Sequence, residues 1–308
     1  MAPGAPAPTG EGRPVTFDHP PRRPFGRLGA TLSMIKFQHT LFALPFAFTG
    51  AVLAAGGPPR GRVLGWILGA MVGARSAAMV WNRIADLRYD ARNPRTADRP
   101  LVTGELGLPF AWGFLLASLA LFYLSAAMLN PLALALATPA VVIILSYSWA
   151  KRFTWLTHLH LGVSLGIAPI GGWIAVAGQM HRAPLLLGAA VAFWVAGFDV
   201  LYSCQDVEFD RRQGLHSIPA RLGIPRALLL ARGCHVLTVI LLASVALVLP
   251  LGPAWLAGVG ITAALLVYEH SLVRADDLSR VNQAFFTING IVGFVVLASA
   301  CADAALRR

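Results

Sequence analysis

Nine uninterrupted apolar runs leave this chain few ways to fold. They fall at residues 31–55, 63–84, 109–128, 131–150, 158–178, 183–204, 225–249, 252–273 and 283–305, and each reaches the about 20 residues a helix needs to cross a ~30 Å hydrocarbon core. Lipid offers no hydrogen-bond partner to an open backbone, so each crossing must be helical. The expected fold class is all-α, a polytopic membrane protein of nine transmembrane helices. Pro45, Pro139, Pro169, Gly171 and Gly172 lie inside these runs, where they are expected to kink helices or let them approach closely without ending them. A chain that is 56% hydrophobic and only 13% charged is too apolar for a soluble domain of this size.

The net charge of +11 would suggest nucleic acid in a soluble protein. Here the positive-inside rule explains it. With a cytoplasmic N-terminus, the tail (Arg13, Arg22, Arg23, Arg27) and the loops after spans two, four, six and eight hold most of the 25 Lys and Arg residues. The expected placement is a multi-pass protein of the inner (cytoplasmic) membrane with the lipid bilayer as its solvent and no nucleic-acid partner. Residues 1–29, rich in Pro, Gly, Ala and Arg, read as a disordered basic tail without a cleaved signal peptide. Residues 30–308 read as one transmembrane domain, in two halves of about 30–155 and 156–275 plus a last helix at 283–305. Cys204, Cys234 and Cys301 are odd in number and sit in or beside spans, which indicates neither a disulfide framework nor a metal site.

Within this apolar background, residues 82–104, NRIADLRYDARNPRTADRPLVTG, are dense in charge. Asn82, Asp86 and Asp90 recur every four residues and so stack on one helix face. Two carboxylates and an amide oxygen are hard ligands suited to Mg²⁺, which is commonly held by one or two carboxylates plus substrate phosphates. Arg88, Arg92, Arg95 and Arg99 add forked donors that match phosphate oxygens. Residues 202–219, YSCQDVEFDRRQGLHSIP, repeat the pattern with Tyr202, Asp206 and Asp210, then Arg211 and Arg212. Of the chain's 14 acidic residues, seven (Asp86, Asp90, Asp98, Glu105, Asp206, Glu208, Asp210) fall in or directly beside these two segments. Such clustering at matched spacing, on one membrane side, argues for a site rather than a solvated boundary.

Other polar residues lie in or beside the spans. Lys36 either snorkels to the headgroups or touches substrate, whereas His39, deeper in the first span, is a candidate substrate contact. Arg75 lies seven residues before Asn82 and Asp199 seven before Asp206, each close to two turns away on the same face. They are expected either to pair across the bundle or to take part in the chemistry. Tyr147 and Lys151 stand one turn apart, followed by Arg152; Lys151 is read as a boundary marker or a phosphate contact. His158 and His160 are expected at the interface. Asn282 and Asn289 share a face that either lines a cavity or bonds a neighbouring helix.

These residues resemble the UbiA superfamily of membrane prenyltransferases over essentially the whole chain from Leu32. Asn82, Asp86, Asp90, Arg99, Pro100 and Gly104 match its first motif, Asn-x-x-x-Asp-x-x-x-Asp with an Arg-Pro-x-x-x-Gly element. Asp206 and Asp210 match the second, Ser217 stands where the family has a diphosphate-contacting serine, and Tyr147 and Lys151 match a Tyr-x-x-x-Lys element. Arg83 replaces an Asp found in many members, so no metal role is assigned to it. The resemblance implies nine helices around a central cavity open to the bilayer, with both Asp-rich segments joining a cytoplasmic cap. Within the family, IKFQHTLFALPFAF, ARSAAMVWNRIAD and QDVEFDRRQGLHSIPARLG look most like the 4-hydroxybenzoate polyprenyltransferase-like branch, which includes members acting on 1,4-dihydroxy-6-naphthoate.

The expected activity is therefore Mg²⁺-dependent prenyl transfer from a polyprenyl diphosphate to a carbon of an aromatic acid acceptor in ubiquinone or menaquinone biosynthesis. Asp86, Asp90, Asp206 and Asp210, with Asn82, are the expected metal ligands. Arg99, Lys151 and Ser217 would complete the diphosphate clamp, and Tyr147 and Tyr202, with Trp81, would face the allylic cation. Arg152 is the first candidate for the acceptor carboxylate and Arg75 the second, while Asp199 is the candidate for removing the ring proton. Two other readings are a family member acting on a non-carboxylated or tetrapyrrole acceptor, and, in a different class, a membrane transporter. Carrier sites lie near the bilayer midplane, whereas both Asp segments here close one face.

Overall fold

The computed structural model describes residues 26–35 and 40–307, and among these residues every regular element is helical. In chain order they are α1 (Gly26–Ile35), α2 (Thr40–Ala55), α3 (Gly61–Ala85), α4 (Leu87–Asp90), α5 (Leu108–Leu129), α6 (Pro131–Phe153), α7 (Thr157–Ala177) and α8 (Arg182–Ser203). After a 3₁₀ turn at Cys204–Asp206 come α9 (Val207–Arg212), α10 (Ile218–Leu222), α11 (Ile224–Ser244) and α12 (Pro253–Leu272). The short α13 (Val281–Gln283) runs through a π-helical stretch, Ala284–Ile288, into α14 (Asn289–Leu306).

Eight of the described segments are long and apolar enough to cross a membrane: Gly61–Ala85, Leu108–Leu129, Pro131–Phe153, Thr157–Ala177, Arg182–Arg212, Ile224–Leu247, Pro253–Leu272 and Val281–Leu306. They coincide with the second to ninth expected spans. The first expected span falls on α1 and the 16-residue α2, and Lys36 and His39 between them lie outside the described residues. Because α1 begins at Gly26, residues 26–29, read from sequence as tail, are helical. The reason is local packing: Ala30 and Met34, one turn apart, bury against Ala77 and Val80 of α3. Residues 1–25 of the expected tail lie outside the described residues.

Pro45, Pro139 and Pro169 lie within α2, α6 and α7 without ending them. α7 is the centre of the bundle, packed tightly on α2 and α8. A side chain at Gly172 of α7 would place its Cβ 1.9 Å from the Ala47 carbonyl oxygen of α2, so the two backbones touch, the usual use of small residues between membrane helices. Large apolar side chains such as Leu116, Val142, Leu229, Leu247 and Val267 remain exposed on the outside of the bundle, as a lipid-facing surface requires.

Asn289 belongs to the helix contacts. Its amide donates to Glu269 Oε1 at 2.7 Å and its oxygen accepts from Trp194 Nε1 at 2.8 Å, which ties α14 to α12 and α8. Nearby, His270 Nε2 meets His235 Nδ1 at 3.0 Å. Of the two readings of the Asn282 and Asn289 face, hydrogen bonding between helices therefore holds for Asn289.

Candidate functional site

The carboxyl-terminal ends of α3, α6 and α8 meet at one end of the bundle. There the two Asp segments face each other; three charge pairs cross between separate pieces of chain and a fourth closes within the first segment. Arg152 Nη2 lies 3.1 Å from Asp86 Oδ1 and also donates to the Ala85 carbonyl at 2.6 Å. Arg95 grips Asp206 with two donors, Nε at 3.2 Å and Nη2 at 2.7 Å, while its Nη1 reaches the Tyr202 hydroxyl at 3.2 Å. Arg99 Nη1 is 2.5 Å from Asp90 Oδ2, and Lys151 Nζ is 3.3 Å from Asp210 Oδ2. Asn82 donates to Asp86 Oδ2 at 2.8 Å, as the four-residue spacing requires.

The two carboxylates within each segment are not equivalent. Asp90 and Asp210 are buried, and each fixes one cation, whereas Asp86 and Asp206 keep more of their surface open. Burial raises the Asp86 carboxyl above its ordinary value; the hydrogen bond from Arg152 opposes that rise and the neighbouring Asp90 charge adds to it. A divalent cation favours the charged form, so this carboxylate is one that metal would stabilise.

The loop after α4 carries Arg95 and Arg99 into place. Thr96 Oγ1 donates to the Asp90 carbonyl at 3.0 Å, and Leu106 N donates to the Pro100 carbonyl at 3.0 Å. Gly104 has φ of 76°, in a region where a Cβ costs roughly 1–2 kcal/mol. That explains the glycine of the Arg-Pro-x-x-x-Gly element. The turn returns Leu101 and Leu106 to the core against Ala111 and Leu115.

Two cavities share this end. A polar one of about 180 Å³ is lined by Asn82, Asp86, Asp90, Arg95, Arg99, Tyr147, Lys151, Arg152, Asp206 and Asp210, among others. A larger apolar one of about 530 Å³ runs along α3, α5, α6 and α7 and includes Arg75, Asn82, Arg95, Arg99, Tyr147, Asp199 and Tyr202 in its wall. Asn82, Arg95, Arg99 and Tyr147 line both, so the polar pocket adjoins the apolar one directly.

Some sequence expectations change here. Arg75 and Asp199 do not pair: Asp199 Oδ2 is 2.6 Å from His158 Nδ1, while Arg75 stands in the apolar cavity wall with its Nε unbonded. His158 is fully buried, not interfacial, because the first turn of α7 tucks under the 217–218 segment. His160 points inward as well, 3.0 Å from the Ile143 carbonyl oxygen. Ser217 is buried and caps α10, accepting from Ala220 N at 3.3 Å; it lines neither cavity. Trp81 lines neither cavity too; it donates to the Leu145 carbonyl at 3.1 Å and packs edge-on to Trp149 and Trp112. The sequence alone marks Arg95 only as one of four phosphate-matching arginines and His158 only as an interfacial residue. Periodicity within one helix cannot show partners that lie far apart in the chain.

Among the described residues no three His, Cys, Asp or Glu side chains converge as a closed metal cage. The donor set instead consists of carboxylates from two segments, an amide oxygen and surrounding cations. It fits Mg²⁺ that completes its shell with water and phosphate oxygens.

The whole arrangement has known counterparts. A 4-hydroxybenzoate octaprenyltransferase of Methylobacillus flagellatus is 32% identical over 253 residues, spanning 81% of this chain and 85% of its own length. A solved UbiA homologue from Aeropyrum pernix is 39% identical with a TM-score of 0.78, covering 86% of this chain and 98% of its own. Another from Archaeoglobus fulgidus, solved with DMAPP and Mg²⁺, shares the fold at 22% identity with a TM-score of 0.72, over 90% of this chain and 99% of its own. The sequence profile of the UbiA prenyltransferase family matches residues 43–291, most of the 308 residues, and with the paired Asp segments at one end of an all-helical bundle it places this multi-pass membrane chain in the UbiA prenyltransferase family.

Proposed function

We propose that this enzyme transfers a polyprenyl group from its diphosphate to a ring carbon of a carboxylated aromatic quinone precursor, 4-hydroxybenzoate or 1,4-dihydroxy-6-naphthoate. The observation that carries this reading is the junction of a four-carboxylate polar pocket with an apolar cavity of about 530 Å³, a size within the ~300–1,000 Å³ usual for ligand sites. The name of the Methylobacillus relative supports the aromatic acceptor. The diphosphate belongs in the polar pocket and the apolar chain in the cavity beside it. We place the protein in an inner membrane with its N-terminus and both Asp segments on the cytoplasmic side, following the arginine distribution.

Asp86, Asp90, Asp206 and Asp210, with Asn82, would hold Mg²⁺, which supplies Lewis-acid neutralisation of the departing diphosphate. Arg95, Arg99 and Lys151 meet the phosphate oxygens; their present carboxylate partners preset their positions. Ser217, as the cap of α10, shapes the loop beside them rather than lining the pocket. Tyr147 and Tyr202 line the junction where the allylic carbon becomes cationic, and a desolvated ring there is worth ~2 kcal/mol or more. Water is kept from that cation by the apolar wall.

For the acceptor carboxylate, Arg75 now ranks above Arg152. Arg152 is engaged by Asp86 and the Ala85 carbonyl, whereas Arg75 stands in the apolar cavity without an ion-pair partner among the described residues. Purified protein given Mg²⁺, geranyl diphosphate and each acceptor in parallel tests the reading. Prenylated product from one acceptor is expected, with Arg75→Ala raising the acceptor KM well above that of Arg152→Ala. Prenylation of neither acid overturns the acceptor class.

A further inference from the structure

Asp199 is the one carboxylate in the wall of the apolar cavity among the described residues, and its environment is built. His158, fully buried at the start of α7, bridges it to the second Asp segment. The Ile218 amide donates to His158 Nε2 at 3.3 Å. A ring nitrogen that accepts an N–H carries no proton, so the proton is on Nδ1. Nδ1 therefore donates to Asp199 Oδ2 at 2.6 Å, a short hydrogen bond. The imidazole orientation is thus set by backbone, and it fixes one carboxylate oxygen while 17% of the Asp199 side chain stays exposed. Asp199 lies seven residues before Asp206 on a continuous helical run, about 10 Å deeper along the axis, and Arg75 stands at the matching depth before Asn82. Arg75 and Asp199 line the same apolar cavity, so an aromatic acid held by Arg75 occupies the space that Asp199 borders.

We propose that Asp199 accepts the proton lost from the acceptor ring and that His158 is the positioning residue that keeps this carboxylate aimed. The inference rests on the prenyl-transfer reading above. The ring carbon gives a π electron pair to form the bond to the prenyl C1, as the C1–O bond breaks and its pair leaves with diphosphate. The same carbon then releases its proton to Asp199, the C–H pair restores the aromatic ring, and the carboxylic acid passes the proton to water. A purely structural role for His158, holding α7 to the Ile218 amide, would not need the second bond to a cavity carboxylate.

The test uses the full-length protein, geranyl diphosphate, and the acceptor that the wild type prefers, with and without deuterium at the reacting ring position. Proton loss is fast in the wild type, so no isotope effect on kcat is expected. Asp199→Asn lowers turnover by about 10²-fold, the usual contribution of a general base, and exposes an isotope effect. His158→Leu does the same more weakly, while His158→Asn, which keeps a donor near the Nδ1 position, recovers most of the turnover. The KM for geranyl diphosphate stays within twofold throughout. If His158→Leu fails to fold, Asp199→Asn against His158→Asn carries the same readout. Slower turnover without an isotope effect, or unchanged kinetics in Asp199→Asn, overturns the inference and leaves prenyl transfer intact. Absence of transfer in the wild type overturns both.

Discussion

At the scale of single residues, charge compensation organises the site. Asp86, Asp90, Asp206 and Asp210 each meet a cation, three of them from a distant part of the chain, and Asp86 is held with burial pushing against its charge. Asp86→Asn keeps the shape and one oxygen but removes the charge that metal needs. Transfer is expected to fall by about 10²-fold or more, several kcal/mol of transition-state stabilisation, with the melting temperature in detergent unchanged or raised. Lys151→Arg asks a sharper question. The ammonium sits 3.3 Å from buried Asp210 at the pocket wall, a place a planar guanidinium does not fit in the same way. Normal insertion, a raised KM for prenyl diphosphate or lower turnover, and an unchanged acceptor KM are expected from steady-state kinetics. Wild-type kinetics would leave Lys151 as a boundary lysine. The Asp-x-x-x-Asp spacing was legible in the sequence because helical periodicity is local. The Arg95 bond to Asp206 and the His158 bond to Asp199 were not, since they join residues on separate helices whose facing is decided only when the bundle packs. Trp81 shows the same limit in reverse: one position from Asn82 in sequence, it points to another side of α3.

At the scale of elements, α7 is fixed by backbone contact and α14 by buried polar groups. Gly172→Ala would drive a methyl into the Ala47 carbonyl, and overpacking of this kind costs typically 1–3 kcal/mol. Gly171→Ala, one residue away with open space at its Cβ, is the control. Thermal unfolding in detergent should show a clear loss for the first and little for the second. Asn289→Ala removes the partner of both Glu269 and Trp194, and each buried group left unpaired costs about 1–3 kcal/mol. That variant should unfold at lower temperature while the fraction still folded keeps its KM values. Helix existence was readable from apolar run length, and eight expected spans coincide with helices. The start of α1 at Gly26, inside the expected tail, was not readable, because it depends on Ala30 and Met34 packing on Ala77 and Val80 of α3 rather than on apolar run length.

At the scale of the whole molecule, the ends of α3, α6 and α8 gather all four carboxylates at one end, and the apolar cavity leads away from them between the helices. The proposed chemistry uses this polarity: charged leaving group at the rim, apolar chain along the bundle, acceptor between them. A single-cysteine set placed at exposed positions of the Asp loops and at the opposite loops should report one membrane side for residues 92 and 211 and the other for residue 58. Labelling of all three from the same side would contradict the arrangement. The most direct measurement is the stoichiometry of released diphosphate and carbon-prenylated aromatic acid formed by purified protein with Mg²⁺ and geranyl diphosphate, in wild type, Asp86→Asn and Asp206→Asn. Equal amounts of the two products in the wild type, both lost in each variant, is the predicted result. Diphosphate release without prenylated acid, or transfer that survives both substitutions, would contradict the account.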